Sequence, residues 1–300
     1  DIILILVPAP TKPGVHPEQL SGRYHDCNER PLHNVSYEGF TRELRNQNVL
    51  ICELDNVLKQ EGTPGYLATD THWRPETVAA VAQHLADFTK EHVALPEPSE
   101  SGYKQILKSV TNHGDIKHMM KLPEGQTTFE PETVNIKQVV NTANEFWRPS
   151  ASADVLLLGD SFSNIYSLAS MRWGNSAGLA EQLSFYLQRP LDVIIRNDEG
   201  AHATRGALSR DLARGKDRLA GKRVVIWEFA ERELALGNWK HLPMELNHNP
   251  EPSKFVVPAE GTEMIVTSVV EAVSGIPNPG SVVYPDHIFS VHLSQLRDHQ

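Results

Sequence analysis

Two short stretches of this sequence hold residue types that do acyl-transfer chemistry together. In Leu158-Gly159-Asp160-Ser161-Phe162-Ser163, an aliphatic block runs into Gly-Asp-Ser. Packing positions at helical spacing follow, at Phe162, Ile165, Tyr166, Leu168 and Ala169. A serine at the carboxyl end of a buried strand stands at the rim where open α/β sheets bind ligands. The N–H groups and dipole of the helix behind it favour an oxyanion. The plainer reading is a helix N-cap, for which Asp and Ser are both favoured. The second stretch is Thr69-Asp70-Thr71-His72-Trp73. A serine nucleophile needs an imidazole to take its proton and a carboxylate to orient that imidazole. Residues two apart share a face in a regular strand, yet it takes a turn to bring a carboxylate onto the ring nitrogen. Alone, Asp70 reads as a loop acid and His72 as a partly exposed histidine. Beside a Gly-Asp-Ser at a strand end, the three read as one catalytic set.

A metal reading competes with this. Asp-x-His followed by Gly-Asp also opens the signature of binuclear-metal phosphoesterases, in which His and Asp ligate two ions. That pattern wants Asp-x-His directly after the first strand and a later Gly-Asn-His. Here Asp70 follows the second strand-like run, and Gly-Asn-His does not occur. Cys27 and Cys52 cannot make a tetrahedral zinc site by themselves. They allow one disulfide or two free thiols, and no metal or cofactor is expected.

The elements that must position these groups alternate. Ile2–Val7 reads as a central strand ending at Pro8-Ala9-Pro10, Tyr37–Arg45 as a short helix and Val49–Leu54 as a second strand. Pro75 suits the first turn of a helix, with Val78, Val81, Ala82, Leu85 and Phe88 on one face. Residues 95–150 carry five prolines and little periodicity and read as an insertion, part of a substrate wall. Then come strand Asp154–Leu158, helix Ser161–Arg172, helix Leu179–Gln188, strand Leu191–Arg196, helix Thr204–Arg214 and strand Arg223–Trp227. Apolar strands alternating with helices imply a parallel sheet covered on both faces. Past about residue 248 the chain turns Val- and Thr-rich with turn residues, a small β-rich segment; Val282-Val283-Tyr284 and Ile288–Leu293 read as its strands. The chain opens on a strand without a starting methionine, so we expect a segment of a longer polypeptide.

Thr69-Asp-Thr-His-Trp73, then Leu156-Leu-Leu-Gly-Asp-Ser-Phe-Ser-Asn-Ile-Tyr166, then Val225-Ile-Trp-Glu-Phe-Ala-Glu-Arg232 resemble, in that order, the SGNH hydrolase-like domain of the alginate O-acetyltransferase AlgX/AlgJ family. The likeness spans roughly residues 1–245. Ordinary SGNH hydrolases place the serine block first and the Asp-His pair last; the reversed order here matches the circular permutation of this family. The resemblance implies a three-layer α/β/α fold; with the change in composition, we expect residues 1–248 to form the SGNH-like domain and 249–300 a small β-rich appendage. It implies Ser161 as nucleophile, His72 as general base and Asp70 as its orienting partner. It also implies acetyl transfer through an acetyl-serine, from an acetyl donor to a secreted bacterial polysaccharide, in the periplasm or on the inner membrane facing it. Other exopolysaccharide-assembly proteins would be partners. A carbohydrate esterase with the same triad, or a non-catalytic polysaccharide-binding subunit, are the alternatives.

Around that core, Ser161 N–H is one natural oxyanion donor, and the loop after Ile195 offers Gly200 N–H and the Asn197 side chain. An ordinary strand-to-helix loop fits those two equally well. Tyr166, one turn after Ser161, is placed to reach substrate or to pack. Trp73 offers a sugar-stacking face or a core residue. Glu228, Glu231 and Arg232 follow the last strand and read as a structural ion pair. Seven basic residues between Arg205 and Arg223 face only Asp211 and Asp217. Such an excess attracts a polyanionic sugar, Arg205 included, although a solvated helix face is the plainer reading. His113 and His118 lack ligand spacing.

Composition bounds the rest. The 300 residues are 40% hydrophobic and 22% charged, the make-up of an ordinary globular chain. Lys plus Arg number 28 against 38 Asp plus Glu, a net charge of −10, which leaves no basic footprint for nucleic acid. No apolar run approaches the roughly 20 residues that cross a bilayer.

Overall fold

The computed structural model describes residues 2–24, 31–59, 65–98, 101–123, 125–126, 128–249, 264–275 and 290–298. In chain order the strands are β1 (Ile3–Ala9), β2 (Leu50–Ile51), β3 (Lys104–Asn112), β4 (Glu132–Val140), β5 (Val155–Gly159), β6 (Asp192–Ile195), β7 (Val224–Ala230), β8 (Val266–Val273) and β9 (Val291–Asp298). The helices are α1 (Lys12–Val15), α2 (Tyr37–Asn46), α3 (Asp55–Leu58), α4 (Pro75–His92), α5 (Gly114–Met119), α6 (Ser161–Asn164), α7 (Leu179–Leu187), α8 (Gly200–Ala213) and α9 (Glu233–Leu236).

The continuous aliphatic runs pair as a parallel five-stranded sheet in the order β2-β1-β7-β5-β6. Leu156, Leu157 and Leu158 of β5 are all buried, as a central strand covered on both faces requires. Leu208 and Leu212 of α8 close one face over Leu156, Leu158, Ile194 and Val225. Helix α4, opened by Pro75, buries Val78, Val81, Ala82 and Leu85 and packs on α7. The carboxyl ends of β1, β7 and β5 lie side by side, so the loops after them share one edge.

Three local expectations change. Strand β1 continues through Pro8 to Ala9. Leu6 O accepts from Cys52 N, so Leu6 and Pro8 point toward β2; β2 ends at Ile51, and the missing proline N–H leaves no ladder bond broken there. The helix expected over Ser161–Arg172 stops at Asn164, because Tyr166 O accepts from Ala177 N instead of from the next helical turn. Residues 95–150 hold an antiparallel hairpin, β3 with β4, whose connection carries α5. Cys52 is a buried free thiol, pushed up to about 12 by burial; Cys27 lies outside the described residues.

The chain divides into two units, Asp1–Leu246 and Asn247–Gln300. Among the described residues the second holds β8 and β9, an antiparallel pair with two register shifts. The strand expected at Val282–Tyr284 lies outside the described residues, as does the start of the one expected at Ile288. Among the described residues no helix is long and apolar enough to cross a membrane.

Candidate active site

The turn after β5 is built by its own sequence. Asp160 caps α6: its Oδ1 accepts from Phe162 N at 2.8 Å, and its Oδ2 accepts from Ala230 N at the end of β7, also at 2.8 Å. Glu228 on β7 secures the same turn from below, its Oε2 accepting from Asp160 N (3.1 Å) and Ser163 Oγ (2.6 Å). Burial, then the Asp160 charge, push the Glu228 carboxyl well above the usual range, so its neutral form is favoured. The ion pair expected of Glu228, Glu231 and Arg232 is therefore absent among the described residues. Glu228 serves the turn, while Glu231 accepts from His33 (2.8 Å), whose other nitrogen meets Asp55 (3.0 Å). Burial opposes the charged His33 ring, but the two carboxylates overcome it and raise His33 to about 10.

Gly159 is required by this packing. A Cβ there would lie 2.3 Å from Ser163 Oγ, which Glu228 holds in place. Gly159→Ala is expected to cost about 1–3 kcal/mol, typical of an added carbon in a filled space. Urea denaturation reads this out, and an unchanged midpoint would show that the turn yields.

Ser161, the first residue of α6, is 7% exposed, and its hydroxyl has no hydrogen-bond partner among the described residues. As the first helical residue it has no intrahelical acceptor for its N–H. The turn 67–72 packs its His72 ring against the neighbouring residue, Phe162. Leu67 N donates to His72 O (3.1 Å), and Tyr66 bridges Trp73, closing a tight loop. His72 Nδ1 lies 2.6 Å from Asp70 Oδ1, which also accepts from His72 N (3.1 Å). Asp70 Oδ2 accepts from Trp173 Nε1 (2.8 Å) and Asp115 N (3.1 Å). Burial by itself would raise the Asp70 carboxyl; the His72 and Trp173 hydrogen bonds outweigh it and hold the group below its ordinary value. The His72 ring sits 5.1 Å, edge-on, from the ring of Phe162, the residue next to Ser161.

The loop is held from three sides. Lys12 Nζ donates to the carbonyls of Leu67 (2.6 Å), Ala68 (2.9 Å) and Asp70 (3.3 Å). Tyr166 Oη donates to Trp73 O (2.8 Å). From the hairpin, Ile116 N donates to Thr69 O (3.0 Å), and Asp115 accepts from Thr71 N (2.8 Å) and Thr71 Oγ1 (2.5 Å). Asp115 Oδ2 stands 3.7 Å from His72 Nδ1. Burial, then the Asp70 charge, raise the Asp115 carboxyl. No sequence signal marks Asp115 or Trp173, which lie 45 and 103 residues from Asp70.

Asp70, His72 and Asp115 bring their ligand atoms within 4.8 Å of one another, the spacing of a metal site. The donor chemistry argues otherwise. Asp70 already accepts four N–H bonds, about the full capacity of a carboxylate, so an ion would have to break them.

Several other expected site residues do different work. Trp73 is fully buried, its ring 4.8 Å from that of Phe162, and offers no face to a sugar. Tyr166 is fully buried too and fastens the His72 loop instead of reaching substrate. Arg205 stacks on Trp227 and Trp239, at 5.1 and 5.4 Å, and donates to Asn238 O and Lys240 O. Gly200, at φ +59°, lies against the Glu233 carboxylate, which accepts from Ala201 N. Asn197 does approach the helix that Ser161 opens, its Oδ1 accepting from Asn164 Nδ2 at 2.7 Å.

Residues 1–231 match the family described as SGNH hydrolase-like domain, acetyltransferase AlgX. The probable alginate O-acetylase AlgJ of Pseudomonas aeruginosa is 26% identical over 255 residues, covering 78% of this chain and 60% of its own length. Its counterpart in Pseudomonas putida is 25% identical over 246 residues, covering 78% of this chain and 59% of its own. The chain thus spans about 60% of the length of these curated relatives. Among solved structures, the O-acetyltransferase domain of Pseudomonas putida AlgJ aligns at TM-score 0.61 and 23% identity, covering 79% of this chain and 77% of that one. Pseudomonas aeruginosa AlgX aligns at TM-score 0.53 and 16% identity, covering 76% and 52%. These likenesses establish the fold.

Proposed function

Because the chain belongs to the SGNH hydrolase-like AlgX acetyltransferase family, we propose that it carries acetyl groups on Ser161 to hydroxyls of an acidic, alginate-like exopolysaccharide in the periplasm. The observation that carries this reading is the 2.6 Å Asp70–His72 pair, its ring packed against the neighbour of an unengaged serine.

With Asp70 on Nδ1, His72 keeps Nε2 unprotonated and able to accept the Ser161 proton. Ser161 Oγ bonds to the acetyl carbonyl carbon as that proton moves to His72. The carbonyl electron pair becomes an oxyanion, for which Ser161 N–H and the side-chain amides of Asn164 and Asn197 would serve as donors. When the oxyanion collapses, the bond to the donor's oxygen breaks, and His72 gives its proton to that oxygen. In the second half a sugar hydroxyl surrenders its proton to His72 and attacks the acetyl-serine; Ser161 leaves and recovers the proton. Twice in the cycle His72 becomes an imidazolium. Asp70, held in its charged form, stabilises it, and Asp115 adds a second carboxyl 3.7 Å away.

Intact-protein mass spectrometry after brief mixing with a small activated acetyl ester tests this. The expected result is a mass gain of one acetyl group on Ser161 that an oligosaccharide acceptor discharges onto sugar. Free acetate as the sole product in the presence of sugar would make the protein an esterase. No adduct and no turnover would overturn the catalytic reading.

A further inference from the structure

Beside the nucleophile's helix, a groove of about 430 Å³ runs along the outer edge of β6, between α7 and α8. Among the described residues strand β6 is the sheet's last, so no further strand pairs with its far side. At one end the groove is lined by Asn164, in α6. That residue stands three after Ser161, about one helical turn along the same helix. At the other end it is lined by Trp147 and Arg218.

The charge along this groove is uneven. Of the seven basic residues between Arg205 and Arg223, three are spent inside the fold. Arg205 is stacked between tryptophans, Arg218 binds Asp192 and Asp211, and Lys222 is buried on Asp192 and two carbonyls. Lys216 lies beside Asp211. Arg210, Arg214 and the outlying Arg223 are left; of these Arg210 and Arg214 line the groove, together with Arg196, which follows β6. All three are exposed and make no ion pair among the described residues. The acids that line it offset them little. Asp211 is committed to Arg218, and Glu181 is buried with Ser167 on one oxygen, burial lifting its carboxyl to about 7.

Three unpaired guanidiniums strung along a channel that ends at the nucleophile's helix suit a linear chain carrying an anion on successive units. We infer that this groove binds a run of the polysaccharide acceptor through its carboxylates, held by Arg196, Arg210 and Arg214, and presents the adjoining sugar to Ser161. The inference rests on the acetyl-transfer reading and names the subsite and charge of its acceptor. Guanidinium suits the role because its planar fork pairs a carboxylate through two parallel N–H bonds. The bound units carry charge recognition, and the reacting hydroxyl belongs to a neighbour beyond the groove's Asn164 end.

Equilibrium titration without an acetyl donor tests it, using a short oligouronate and a neutral oligosaccharide of equal length. Wild type is expected to prefer the oligouronate, and added salt to weaken that binding. The double variant Arg210→Glu/Arg214→Glu should bind the oligouronate about tenfold more weakly or worse, as expected when charge pairs become like-charge contacts. It should also lose the salt dependence. Arg223→Glu, an exposed arginine outside the groove, should change affinity by less than about twofold. Double Arg→Gln substitutions at the same two sites should give an intermediate loss. Equal affinity of wild type for the two oligomers, or an unchanged affinity in the double variant, would overturn the inference. Because no acetyl group moves in this assay, its failure leaves acyl-enzyme formation on Ser161 standing. Failure of the acyl-enzyme would in turn leave the titration standing.

Discussion

Ser161→Ala is expected to lower turnover of a small acetyl ester by about 10⁴- to 10⁶-fold, the range seen when a serine nucleophile is removed from a working triad. The same change should leave the fold nearly untouched. The Ser161 hydroxyl makes no hydrogen bond among the described residues. Its removal therefore leaves no partner stranded, and it is such stranding that makes most polar deletions costly. A shift in the thermal midpoint of no more than about 2 °C follows from that. The pair of measurements is decisive because the two effects are so unequal. A variant retaining a tenth of wild-type kcat would remove Ser161 from the mechanism, and one that melts much earlier would leave its activity uninterpretable. The acetyl adduct should vanish in the same variant.

Asp70→Asn is expected to cost about 10⁴ in kcat, and for a different reason. Asp70 accepts on both oxygens from four N–H groups. An asparagine can accept on only one. If its oxygen stays on His72, its NH₂ faces the N–H groups of Trp173 and Asp115, donor against donor. If it turns around, the NH₂ faces His72 Nδ1, and the imidazole must carry its proton on Nε2, where it cannot take one from Ser161. Either arrangement is poor, so stability should fall together with activity.

The acid limb gives a signature separate from simple misfolding. The native Asp70 pKa is depressed below its ordinary value. Its contribution to stability is therefore complete above the unfolded pKa of about 3.9 and lost as pH falls through the native value. Wild type should lose that part of its stability on acidification below the usual Asp range, and Asp70→Asn should not. Melting curves over that range read the difference. If Asp70→Asn keeps kcat within about tenfold of wild type, then Asp115, 3.7 Å from the same nitrogen, does the orienting.

What could be read from the chain divides along the range of the interactions. Gly159, Asp160 and Ser161 form a strand, turn and cap within a few residues, and Asp70 reaches His72 across one turn; both are local, and both were legible. The parallel sheet was legible because aliphatic runs with little alternation leave no solvated face. Asp115, Trp173 and Glu228 were opaque in their roles, since each meets its partner only after the sheet and hairpin have assembled. Trp73 and Tyr166 were left undivided between substrate and core for a related reason. Adjacency to His72, or one turn from Ser161, fixes distance along the chain but not direction, and both side chains turn inward. The helix expected to run to Arg172 has helical spacing, but a bond from a residue eleven positions further on takes its carbonyl. Arg205 illustrates the limit for charge: a guanidinium counts toward a basic patch only if no aromatic pair claims it first.

The β3–β4 hairpin appeared first as a run of prolines interrupting an otherwise regular alternation. Its tip supplies the backbone N–H that finishes the Asp70 carboxylate, and its Glu132 accepts from Ala68 N and pairs with Arg74 at the two ends of the same loop. It is therefore no detachable ornament. Any attempt to pare the domain to its sheet and flanking helices would remove part of the scaffold that aims the imidazole. Lengthening or shortening the hairpin by a residue would slide that donor relative to its acceptor. In this architecture the segment with the least regular sequence sets the orientation of the Asp70–His72 pair, and variation there is variation in that pair's geometry.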